Sequence, residues 1–181
     1  MKLLRTIRLD PSDTFVFERA AEPGEWAVSG SFAFWNEDAA ALQGKARAAF
    51  RAGFLGVQSL GWSTLVQIIE ANEHDYRAAV GMLAQQLVAS FGAPTINDAK
   101  AAAEEEFAFA SSLCTHPADT LIAIHRTQEG GKIHETFRSL RPKGGSKSFR
   151  AFTFFEVEGE DDFGERIDLA ALGENKTSDK S

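Results

Sequence analysis

Thr120-Leu121-Ile122-Ala123-Ile124-His125-Arg126-Thr127-Gln128-Glu129-Gly130-Gly131-Lys132-Ile133-His134-Glu135-Thr136-Phe137-Arg138-Ser139-Leu140 decides the fold class of this chain. Two alternating runs flank a glycine pair, which is the pattern of a β-hairpin. Two registers compete. A turn centred on Gly130-Gly131 pairs Glu129 with Lys132, Arg126 with Glu135, Ile124 with Phe137 and Leu121 with Leu140. A turn centred on Glu129-Gly130 pairs Ile124 with Glu135 and Leu121 with Arg138. The first matches opposite charges and apolar partners across the strands, so it is preferred.

Upstream of the hairpin the pattern turns helical. From about Ala39 to Phe54 the chain is Ala-rich, with Gly53 and Gly56 at its end. Asn72 reads as an N-cap, followed by Tyr76, Val80, Leu83 and Leu87 on one helical face, with Gly92 and Pro94 as a stop. Asn97 opens a further helix. Its stripe is Ala99, Ala103, Phe107, Ala110 and Cys114, and Pro117 closes it.

The first third reads as a strand meander. Leu3 to Leu9 alternates, and Asp10-Pro11-Ser12-Asp13 signals a turn. Phe15-Val16-Phe17 reads as a short strand. Trp26 to Trp35 alternates, with Trp26, Val28, Phe32 and Phe34 on one face and Ala27, Ser29, Ser31 and Ala33 on the other. Trp62 to Glu70 reads as a buried strand. Beyond the hairpin, Arg141 to Ser148 is a basic, Gly-rich loop, and Phe149 to Val157 is a last strand with Phe on both faces. That strand is either central or part of an interface. The spacing allows a short helix near Asp162 to Leu172, and residues 174–181 form a polar tail expected to be disordered. The expected fold is therefore α+β: a single domain over residues 1–173, with a mostly antiparallel sheet and about three helices packed on one face. The expected element order is three strands, helix, strand, two helices, three strands.

The chain has 181 residues, enough to bury a core without disulfides. Fifteen Phe against one Tyr point to a thick aromatic core. A net charge of -7 argues against nucleic acid as a partner. One cysteine forbids an internal disulfide and suggests a reducing compartment. No apolar run approaches the ~20 residues of a membrane span, and the start lacks a signal-peptide pattern, so the expected location is cytoplasmic, with no membrane partner.

The search for chemistry yields fragments. His125 and His134 lie on facing strands of the hairpin and share a face, diagonal or directly opposite. No third ligand accompanies them, so neither a metal nor a cofactor is expected. Cys114 falls on an apolar stripe at a helix C-terminus, which disfavours thiolate. Gly61-Trp62-Ser63 matches half of a nucleophile elbow before a strand, the wrong context. Gly145 is followed by Ser146, not by the Lys of a phosphate loop. Arg138, Arg141, Lys143, Lys147 and Arg150 nevertheless occur with no intervening acid. The candidate ligand-binding residues are His125, His134, Arg138, Lys143 and Lys147, and no catalytic residue is assigned.

Met1-Lys2-Leu3-Leu4-Arg5-Thr6-Ile7-Arg8-Leu9-Asp10 and Glu22-Pro23-Gly24-Glu25-Trp26-Ala27-Val28-Ser29-Gly30 resemble an uncharacterised family of short bacterial proteins, a domain of unknown function. The resemblance extends to about Val157. It implies an occurrence near molybdenum-dependent formate dehydrogenase genes and hence an accessory role. It assigns no functional residues. The expected function is a non-catalytic accessory or interaction protein that supports an oxidoreductase system. Its protein partner, or a second copy in a homodimer, would dock on the strand around Phe149 to Val157. The alternative is a small-molecule-binding protein or enzyme of unrecognised type that uses residues 125–150.

Overall fold

In the computed structural model, which describes residues 1–142 and 155–158, the hairpin takes the preferred register. Strands β6 (Leu121–Glu129) and β7 (Lys132–Pro142) pair Leu121 with Leu140, Ile124 with Phe137, Arg126 with Glu135 and Glu129 with Lys132. Gly130 and Gly131 make the turn at φ 57 and 77, the left-handed pair that a two-residue hairpin loop demands.

The other strands are β1 (Lys2–Ile7), β2 (Trp26–Val28), β3 (Phe54–Gly56), β4 (Trp62–Ser63), β5 (Leu65–Glu70) and β8 (Phe155–Glu158). Together they form one sheet in the order β4-β3-β2-β1-β5-β6-β7-β8. Every neighbouring pair is antiparallel. The four α-helices among the described residues are α1 (Ser12–Val16), α2 (Gly44–Ala52), α3 (Glu73–Phe91) and α4 (Ile96–Ser112). The class is α+β.

The two long helices form as their sequence dictates. Asn72 caps α3, and Asp75 answers it, so each side chain takes the other's backbone N–H. Thr95, not Asn97, caps α4, through the backbone N–H of Asp98. The α4 stripe is buried throughout: Ala99, Ala103, Phe107 and Ala110 at 0%, and Cys114 at 6%. Small alanines let the helix approach both α3 and strands β1 and β2. Val80, Leu83, Ala84 and Leu87 of α3 join Leu4, Val66, Ile68, Ile122 and Ile124 of the sheet in one core.

The first third departs from the expected meander. Phe15-Val16-Phe17 is not a strand. Pro11 precedes the one-turn helix α1, and Asp10 accepts the Ser12 N–H there. The reason is Asp13, which turns inward and accepts hydrogen bonds from Ser63 and Thr64. Phe17 is thereby buried while Phe15 stays exposed. The expected strand Trp26 to Trp35 stops at Val28. Gly30 sits at φ 77, and a Cβ there would lie 2.6 Å from that of Leu55. A 3-10 turn follows at Ser31–Phe34. Its tighter period, not strand alternation, sets the positions of Phe32 and Phe34. Ala27, Ser29, Ser31 and Ala33 therefore do not share one strand face. The Ala39–Phe54 helix shortens to α2. Its last residue leads into β3, an unforeseen strand, and Trp62 to Glu70 divides into β4 and β5.

The last strand is realised as β8, paired with β7 through Leu140↔Val157 and Ser139↔Glu158. The remainder of the expected Phe149–Val157 strand lies outside the described residues. So do the basic loop after Pro142, the Asp162–Leu172 helix and the 174–181 tail.

Phe107 is fully buried, with its ring edge-on to Tyr76 at 6.4 Å between α4 and α3. Phe107→Ala should cost about 3–5 kcal/mol, read as a lowered urea midpoint with an unchanged slope.

Candidate functional site

Alternation gives the hairpin two chemically different faces. One carries Ile124, Arg126, Glu135 and Phe137 and turns toward α4. The Phe137 ring meets Phe109 of α4 at 5.8 Å and Phe54 of β3 at 6.2 Å. Arg126 on this face is 1% exposed. Its Nε donates to Glu135 Oε1 at 2.7 Å. Its Nη1 donates to the carbonyl oxygens of Gly53 at 2.7 Å and Phe50 at 3.0 Å. Its Nη2 donates to the Ser29 carbonyl, and the Ser29 hydroxyl donates to Glu135 Oε1 at 2.7 Å.

The carbonyls at the end of α2 have no partner within the helix, and the helix dipole is negative there. Arg126 supplies both hydrogen bonds and charge. One guanidinium thus joins β6, β7, the end of α2 and the residue that follows β2. Burial lowers the Arg126 pKa, and the Glu135 carboxylate opposes that shift.

Glu106 of α4 lies one helical turn before Phe109 and faces the same site. Burial first, and then the Glu135 carboxylate, push its pKa up to about 7 against the opposing pull of Arg126. Its Oε2 is buried and lacks a hydrogen-bond partner among the described residues. The cluster can hold a proton near neutral pH. Its other polar groups are committed to the chain itself, so it reads as the hub that holds the fold. Sequence reasoning found the Arg126–Glu135 pair but not its burial or Glu106, whose place in an exposed-looking Glu104-Glu105-Glu106 run gave no signal.

The opposite hairpin face carries the expected candidates. His125 stands opposite Thr136, His134 opposite Thr127, and Arg138 opposite Ala123. The two histidines are therefore diagonal. His125 and Arg138 are half-buried and His134 is exposed. Burial lowers the His125 pKa, and the positive charges of Arg51 and Arg138 lower it further. Arg51 was not anticipated. Lys143 and Lys147 lie outside the described residues. Among the described residues no group of three or more His, Cys, Asp or Glu is placed to hold a metal. Cys114 is a buried free thiol whose pKa burial raises to about 11, in keeping with a small hydrophobe.

Apolar side chains are exposed elsewhere. Phe32 meets Phe91 edge-on at 5.1 Å. Trp35 follows Phe32 in the 3-10 turn and is 76% exposed, while Val88, one helical turn before Phe91, is 42% exposed. The Phe32–Phe91 contact brings the turn against the end of α3, and Trp35, Val88 and Phe91 leave an apolar patch exposed there. No helix among the described residues is long and apolar enough to cross a membrane.

Replacing Arg126 by Met leaves Glu135 and the α2 carbonyls without their donor. A loss of about 3–5 kcal/mol in urea unfolding is expected. Glu106 supplies a pH test. Its folded pKa of about 7 lies above the ordinary 4.5, so the folded state binds the proton more tightly. The stability this contributes is full below pH 4.5 and is lost as pH rises through 7. Wild-type melting temperature should therefore fall between pH 5 and pH 8. Glu106→Gln should flatten that fall and gain several degrees at pH 8, at about 2–4 °C per kcal/mol for a chain of this size.

Comparison with curated proteins and with solved structures returns no match. A family model does match, over residues 1–156, and its description is a family of unknown function. The match takes in both hairpin faces, the Arg126 cluster and the apolar patch, and the chain belongs to the DUF6505 family.

Proposed function

We propose that the protein is a non-catalytic accessory or interaction protein of the bacterial cytoplasm, serving an oxidoreductase of the formate dehydrogenase type. The observation that carries the interaction reading is the exposed apolar surface of Trp35, Val88 and Phe91 around the Phe32–Phe91 contact. Aromatic side chains in such a setting contribute most of the binding energy at protein interfaces. The buried Arg126 cluster supports the same reading, because its donors serve the chain's own carbonyls and carboxylate. The oxidoreductase rests on the gene neighbourhood that the sequence resemblance implies. A second contact is proposed at the strand around Phe149 to Val157, whose described part, β8, is the last strand in the sheet order. The backbone of an edge strand can pair with another chain, either a partner or a second copy.

A second reading is a small-molecule-binding protein or enzyme built on the hairpin and the basic loop after it. It has one specific support: His125 and Arg138 are neighbours on one face, within reach of the charge on Arg51.

Co-purification of the tagged chain from its native cell, as wild type and as Trp35→Ala, separates these readings. A stoichiometric oxidoreductase subunit held by wild type, and at least tenfold depleted with Trp35→Ala, is the expected result. Equal retention by both would overturn the patch as the contact. A retained metabolite without any protein partner would overturn the accessory reading in favour of the second.

A further inference from the structure

The apolar patch carries a one-sided charge pattern at its border. Trp35, 76% exposed, closes the 3-10 turn that seats Phe32 on Phe91 at 5.1 Å. Val88 and Phe91 lie on the last turns of α3. Ile96, 54% exposed, opens α4 after the short connection 92–95. That connection folds back onto α3, where the Ala93 N–H donates to the Leu87 carbonyl. Residues 31–44 and 78–99 supply this surface, and neither stretch holds a Lys, Arg or His. Their acids are Glu37, Asp38 and Asp98. Asp98 is committed to the start of α4, where its carboxylate accepts from the Thr95 hydroxyl at 2.6 Å. Glu37 and Asp38 are exposed, and among the described residues neither forms an ion pair. The last turn of α3 has no basic residue to offset the negative end of its dipole. Exposed apolar side chains thus border on negative charge that the chain itself leaves unanswered.

We infer that this surface receives an apolar segment of a partner protein whose flanking residues are Lys or Arg. This rests on the interaction reading above and names the chemistry of the partner. Apolar anchors of the segment cover the patch, with Trp35 as the large aromatic contact. Its basic flanks meet Glu37, Asp38 and the end of α3, which steers the encounter and sets the direction in which the segment lies. The same charges weigh against the two other occupants of an apolar face. In a twofold dimer the patch meets its own copy, so acids would face acids in a chain of net charge -7. An anionic lipid surface would be repelled by Glu37 and Asp38.

The test is a calorimetric titration of the full chain with two synthetic amphipathic helical peptides. They share a leucine face and differ on the opposite face, which is Lys in one and Glu in the other. The Lys peptide should bind saturably, about tenfold or more tighter than the Glu peptide, and more weakly as salt is raised. Trp35→Ala should weaken it about tenfold, and Glu37→Gln combined with Asp38→Asn about fivefold. Glu73→Gln, at the far end of α3, should leave it unchanged, which separates the patch from the overall negative charge. Trp35, Glu37 and Asp38 are exposed, so their replacement leaves folding intact, as an unchanged melting temperature would verify. Equal affinity for the two peptides, no saturable binding of either, or wild-type binding by Trp35→Ala overturns the inference. So does a dimer in sedimentation that Trp35→Ala dissociates, or tighter binding to anionic vesicles than to the Lys peptide. If Trp35→Ala depletes the native partner while the two peptides bind alike, the interaction reading stands and this partner class falls.

Discussion

A guanidinium that is withdrawn from water must find acceptors for its donors, and the packing around Arg126 follows from that requirement. The charge cannot be shed, because arginine stays protonated at any accessible pH. Its partners come from three places in the chain: Glu135 across the hairpin, the terminal carbonyls of α2, and Ser29 after β2. In a sheet of this order, β2, which Ser29 follows, and β6, which carries Arg126, are separated by β1 and β5. One side chain can bridge them only because the sheet curls. The buried ion pair and the curl thus require each other. An interaction of this type adds little net stability over apolar packing, but it penalises every arrangement in which the partners are not met.

The helices close the same site from above. Phe109 and Glu106, one turn apart on α4, reach Phe137 and Glu135, two residues apart on β7. The apolar contact draws α4 down, and the carboxyl group comes with it into a setting that disfavours its charge. Glu106 brings to the hub a group whose protonation can change near neutral pH. The dry side of the hairpin is therefore where fold stability and acidity are coupled. The other side of the hairpin carries His125 and Arg138, both half-buried. The apolar patch near Trp35 arises for a different reason. The turn that Gly30 starts points Phe32 toward α3 and leaves Trp35 without cover.

The amino-acid sequence by itself determined the hairpin register, the two long helices and the buried stripe of α4. Each rests on local rules: cross-strand charge and apolar matching, capping side chains, and the helical period. It also set His125 and His134 on one face, since alternation needs no tertiary information. Only the tertiary structure decided that Phe15 and Val16 are helical, because the deciding group, Asp13, answers to Ser63 and Thr64 far along the chain. It likewise ended β2 at Val28, where a close approach by Leu55 leaves room for no side chain at Gly30. The burial of Arg126 and the raised pKa of Glu106 are of the same kind. Charge type is written in the sequence, but the dielectric and the neighbours that give a charge its meaning come from segments that meet only when the chain has folded.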